Sequence, residues 1–154
     1  MKKNIFHILC FLLLLIACAP IKKHRSASIV QGIEGFVYTI SGNQMPAPNI
    51  QPLPTQPLSD TIYIFELTNI TNTSKLSESG FYTAVNSKLL AKTVSNKKGY
   101  FILSLPTGDY SVFLKVKGFF YANTFDAKNN IAPVKVNNNS ITKIDIKQDA
   151  YAIY

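Results

Sequence analysis

Histidine, cysteine, arginine and acidic residues are all scarce in this sequence of 154 residues, and each shortage removes a class of chemistry. The two histidines are His7 and His24, so no imidazole lies in the body of the chain. That excludes a Ser-His-Asp triad or a Cys-His nucleophile there. The two cysteines, Cys10 and Cys18, are confined to the same end. The remainder can form no disulfide and no zinc or non-haem iron site built on Cys and His. Arg25 is the only arginine. Recognition of phosphates and base edges leans on the bidentate fork of Arg, so no nucleic-acid partner is expected. Asp and Glu together number 8. Paired carboxylates of the glycosidase kind remain conceivable, but Glu66 and Asp145 read as ordinary strand residues. We therefore expect no enzyme, no metal and no cofactor.

What the sequence does have begins at its first residues. Lys2 and Lys3 precede an apolar run from Ile5 to Ala17 that only His7 and Cys10 interrupt. A charged start, a short apolar stretch and small residues before a break are the layout of a secretory signal peptide. The run is about 13 residues, against the roughly 20 that a spanning helix needs. Its ending, Leu15-Ile16-Ala17-Cys18, resembles the lipobox of bacterial lipoproteins. The resemblance implies cleavage before Cys18, a lipid on the Cys18 thiol and a membrane anchor. The alternative is an ordinary signal peptide cut near Ala19. The division expected is a signal peptide over 1–17, a lipid-anchored tether over 18–31 and one domain over 32–154. A domain of that size buries about two thirds of its unfolded surface and can hold a core without staples.

The formal charge is +8, falling to about +6 without Lys2 and Lys3. The lysines are scattered apart from Lys22-Lys23-His24-Arg25 and Lys97-Lys98, and the charge reads mainly as solubility. The first cluster stands beside Cys18. There it could add about 1 kcal/mol per charge of attraction to anionic headgroups. The residues after Cys18 show no acidic cluster of the kind associated with surface export, which favours the periplasmic face of the outer membrane.

No segment carries a helical period. Ile33 to Ile40, Thr61 to Leu67, Lys88 to Ser95, Tyr100 to Leu105, Tyr110 to Lys117 and Ile141 to Lys147 are rich in β-branched and aromatic residues, several with period-2 alternation. Along Tyr110 to Lys117, Tyr110, Val112, Leu114 and Val116 share a core face, with Ser111, Lys115 and Lys117 on a watery one. Shorter apolar runs lie at Phe119 to Phe125, Ile131 to Val136 and Tyr151 to Tyr154. Seven to nine short strands point to an all-β, single antiparallel β-sandwich. Ser41 to Asp60 holds Pro46, Pro48, Pro52, Pro54 and Pro57 and reads as a long loop. Thr68 to Gly80 reads as a second, Asn/Thr/Ser-rich loop.

Asn96-Lys97-Lys98-Gly99-Tyr100-Phe101 followed by Leu105-Pro106-Thr107-Gly108-Asp109-Tyr110 resembles the carboxypeptidase regulatory-like domain, a transthyretin-type (prealbumin-like) β-sandwich. Gly99 suits a positive φ at the turn, Pro106 and Gly108 suit the next turn, and Tyr110 can bury its ring with the hydroxyl at the edge. Gly32-Ile33-Glu34-Gly35-Phe36-Val37 is similar to the family's first strand. Ser41 to Pro46 and Asn130 to Val134 resemble lipid-anchored members of uncharacterised role. One departure is the basic Lys97-Lys98, where the family usually has an acidic residue. Two enzyme families that share the general fold are set aside. Hydroxyisourate hydrolases need histidines, an arginine and a different C-terminal tetrapeptide. Intradiol dioxygenases need two histidines for iron.

The run Gly118 to Asp126 is the densest in aromatics. It reads first as core filling, with a stacking platform at Phe120 and Tyr121 as the functional alternative. Asp126 to Asn130 reads as a turn and not a calcium loop. Asp60-Thr61-Ile62 resembles a short O-glycosylation signal, which would fall on Thr61. The function expected is a noncatalytic, lipid-anchored envelope protein that binds or scaffolds a protein or envelope partner. The candidate contacts are Pro46, Pro48, Pro52, Pro54, Phe120 and Tyr121. The alternative is a carbohydrate-binding accessory of a nutrient-uptake system.

Overall fold

The computed structural model describes residues 29–45, 48, 53–76 and 80–154. Cys18, the signal segment, most of the tether, Pro46 and Pro52 lie outside them. Two sheets pack face to face as an all-β sandwich. One sheet joins β1 (Gly32–Asn43), β2 (Gln56–Pro57), β7 (Tyr100–Ser104) and β11 (Ile141–Ile153). The other joins β3 (Thr61–Glu66), β4 (Thr73–Lys75), β5 (Phe81–Val85), β6 (Leu89–Val94), β8 (Gly108–Val116), β9 (Phe119–Tyr121) and β10 (Pro133–Val136).

The main core lies between the sheets. Ile33 and Val37 of β1 and Phe101 of β7 meet Ile62 and Ile64 of β3 and Val112 and Leu114 of β8. Each is an alternate residue on its strand, so the period-2 patterns did place them on one face. The turn pair behaves as its residues imply. Gly99 has φ +79 and its N–H donates to the Asn96 carbonyl at 2.8 Å. Tyr110 is buried, and its hydroxyl donates to the Pro106 carbonyl at 2.8 Å.

Several expectations change. β1 and β11 pair in parallel, from Gly32↔Ile141 to Asn43↔Ile153, where an antiparallel sandwich is expected. β11 is continuous through Tyr151, so Tyr151 to Tyr154 is no separate run. The proline-rich segment is narrower than a loop over Ser41 to Asp60, because β1 continues to Asn43 and Gln56–Pro57 pairs with Tyr38 and Thr39. Thr68 to Gly80 is also more than a loop. It holds a 3-10 turn at Ile70–Asn72, capped by the Asn69 side chain, and β4, which pairs with β5.

The middle of β8 is buried on both faces: Lys115 is exposed on the second face as expected, but Ser111 is not. Ser111 and Phe113 are both fully buried. The Ser111 hydroxyl accepts the Thr68 backbone N–H at 2.9 Å. Phe113 joins Phe65, Tyr82, Ala122 and Ile131 in a second core. Two crossing segments lie beside it and are laced together by Ile131 N–H to the Thr68 carbonyl at 2.8 Å and Ile70 N–H to the Asn129 carbonyl at 3.0 Å. The Asp126 carboxylate accepts N–H groups of Asn130 and Lys128, and these bonds hold it below the usual carboxylate range. That is the expected turn.

The Tyr82 hydroxyl is buried in this second core and has no hydrogen-bond partner among the described residues. Burial holds it above the usual phenol range. An unpaired buried hydroxyl costs about 1–3 kcal/mol. Tyr82→Phe should leave the urea midpoint unchanged or raise it. A loss above about 1 kcal/mol would reveal a partner for the hydroxyl.

Candidate functional site

Two surfaces gather groups suited to binding, and β11 contributes to both. The first is the outer face of the four-stranded sheet. On β1 the alternation that buries Ile33, Gly35 and Val37 turns Glu34, Phe36 and Tyr38 outward. Parallel register sets these opposite Lys143, Asp145 and Lys147 of β11, and β7 adds Tyr100 opposite Phe36. The Phe36 ring is 45% exposed and lies 5.5 Å from the Tyr100 ring. Polar groups rim the pair. Glu34 accepts the Tyr100 hydroxyl at 3.1 Å and meets the Lys143 ammonium at 3.8 Å. Asp145 accepts the Phe36 N–H at 3.2 Å. Burial and the neighbouring carboxylates hold the Tyr38 and Tyr100 phenols above their ordinary range.

The second surface is a cleft where the edge of β11 faces the other sheet. Two adjoining cavities, of about 270 and about 350 Å3, share Tyr121 and Asn123. Asp149 lines the larger of them, bonded to both shared residues. Its Oδ1 accepts the Tyr121 hydroxyl at 2.6 Å and the Asn123 Nδ2–H at 2.5 Å, and its Oδ2 accepts the Tyr154 hydroxyl at 3.2 Å. Burial and the Asp149 carboxylate push the Tyr121 phenol well above its usual range.

A β-bulge aims this carboxylate. Thr39 pairs with Gln148 and Ser41 with Tyr151, so Ile40 alone stands against Asp149 and Ala150. Strict alternation would put Asp149 on the outer face with Asp145 and Lys147. The extra residue redirects it toward Tyr121, as bulges do beside sites.

The residues singled out from the sequence fall differently. Tyr121 is only 2% exposed and belongs to the main core, so it offers no open surface for a partner. Phe120 is half-buried and packs edge-on against Tyr63 and Phe65, with the Lys115 ammonium 4.6 Å from its ring. Core filling accounts for both, although the edge of Tyr121 reaches the cleft, and Phe125 is the exposed ring of that run in the cleft, at 45%. Pro48 and Pro54 are exposed and lie outside both surfaces. Thr61 begins β3, its N–H donating to Asp60 at 2.6 Å. Sequence reasoning missed Phe36, Tyr100, Asn123, Asp149 and Tyr154. For Phe36 a signal existed, because it shares the polar face of an alternating strand. For Asp149 none did, since a bulge in parallel pairing leaves no local mark.

Among the described residues no three His, Cys, Asp or Glu side chains come together. Comparison with known proteins finds no matching family, no matching curated protein and no matching solved structure.

Proposed function

We propose that this chain is a noncatalytic envelope protein, anchored to the outer membrane by lipid on Cys18, that binds or scaffolds a protein or envelope partner. The leader with Leu15-Ile16-Ala17-Cys18 supports the anchor, and the turn pair at Asn96 and Pro106 supports a carboxypeptidase regulatory-like domain behind it. The observation that carries the binding role is the exposed Phe36 ring seated on Tyr100 inside a rim of Glu34, Asp145 and Lys143. An aromatic anchor surrounded by polar groups is the arrangement that concentrates binding energy at protein interfaces. Tyr38, paired with Pro57 of β2, extends that surface toward the proline-rich segment.

The test is purification of the full chain from its own membrane, with identification of co-purifying molecules. The unchanged chain should carry a fatty-acid label and retain a partner. Cys18→Ser should lose the label and accumulate as an uncleaved precursor. Phe36→Ala should keep the label and lose the partner at least tenfold, the scale of an anchor residue. A label unchanged in Cys18→Ser, or partner retention unchanged in Phe36→Ala, would overturn the respective half of the proposal.

A further inference from the structure

The Asp149 cleft adjoins the outer face at Asp145 and Lys147 but carries its own ligand chemistry. Asp149 Oδ1 is filled by two close donors, whereas among the described residues Oδ2 receives only the long bond from Tyr154, itself 68% exposed. A carboxylate oxygen has two acceptor sites, so Oδ2 keeps an open one. Asn123 uses one of its two Nδ2–H groups on Asp149 and leaves a donor beside that acceptor. The Phe125 ring forms part of the same wall and is 45% exposed.

We propose that this cleft binds a neutral carbohydrate. One ring hydroxyl donates to Asp149 Oδ2, its neighbour accepts from Asn123 Nδ2–H, and the C–H face of the sugar ring lies on Phe125. Adjacent hydroxyls that both donate and accept match a carboxylate set beside a carboxamide. An aromatic ring supplies the apolar surface that a pyranose face needs. A cationic ligand fits less well, because the chain carries a formal charge of +8. Tyr121 and the bulge at Ile40 hold Asp149 in place, so the acceptor is fixed before a ligand arrives. This inference holds whether or not the outer face engages a protein.

The experiment is titration of the full chain in detergent with hexasaccharides of α-glucan, β-glucan, mannan, galactan and chitin, alongside an oligolysine peptide. At least one neutral hexasaccharide should bind, and Asp149→Asn and Phe125→Ala should each weaken it tenfold or more. Phe119→Ala, outside the cleft, should leave it unchanged. Phe125→Ala removes an exposed ring and leaves the core intact, so its result stands even if Asp149→Asn folds poorly. Absence of binding to all five sugars, binding insensitive to Phe125→Ala, or an Asp149-dependent preference for oligolysine would each overturn the inference. A sugar-binding failure with Phe36-dependent partner capture intact would leave the proposed function standing.

Discussion

A single methyl group at residue 35 should abolish the fold. Gly35 lies within β1, with Phe101 of β7 on one side and Ile144 of β11 on the other. A Cβ built there would sit 1.5 Å from the Ile144 carbonyl oxygen and 2.7 Å from its carbon. Both obstacles are backbone, so no rotamer change relieves them. Either β1 or β11 must move, and each carries inward residues of the main core, Ile33 and Val37 on one and Ile144 and Ile146 on the other. Ordinary overpacking costs about 1–3 kcal/mol, and a clash with main chain on a doubly paired strand exceeds that. Domains of this kind hold about 5–15 kcal/mol in total. Gly35→Ala should therefore lose its cooperative urea transition and its β-sheet circular dichroism. A variant within about 1 kcal/mol of the parent would mean that β1 and β11 are not paired in this register.

The second large effect should come from Phe113→Ala. Phe113 is fully buried on the face of β8 that the sequence assigns to water. Its ring meets Phe65 at 5.5 Å, Tyr82 at 5.7 Å and Phe120 at 6.1 Å, all near edge-on. Truncating a buried Phe costs about 3–5 kcal/mol, and each lost aromatic pair accounts for about 0.5–1.5 kcal/mol beyond area. Phe119→Ala, at a ring 36% exposed, should cost less than about 1 kcal/mol. Urea midpoints decide it. Equal losses at the two positions would show that the second core is loosely packed.

Phe113 also shows where sequence reading runs out. Strands whose alternation reports one buried face, such as β7 and the first half of β11, were legible residue by residue. β8 was not, because Ser111 looks like a solvent-facing residue until its hydroxyl is seen serving the Thr68 backbone. β5 escaped notice for a related reason. Its five residues follow a polar segment and hold a Thr and an Ala, and only the packing of Tyr82 makes it a strand of the second core. The parallel closure of β1 on β11 joins strands at opposite ends of the domain, and no local pattern reports it. The candidate cleft depends on that closure and on its bulge. Its rings could be found from the aromatic run, but its carboxylate could not.

The parallel pairing also fixes how the molecule is presented. Because β1 and β11 run the same way, chain entry at Gly32 and the Ser140 turn share one pole, joined by the Gly32 N–H to the Ser140 carbonyl at 3.1 Å. Asn43, Gln44 and Tyr154 lie at the other, where the Gln44 N–H donates to the Ile153 carbonyl at 2.8 Å. Twelve residues of β1 at about 3.3 Å each separate the two poles by roughly 40 Å. A chain held from its N-terminal side is thus a short mast. It stands on the Gly32 pole and carries Asp149 and Tyr154 toward the pole farthest from whatever holds it.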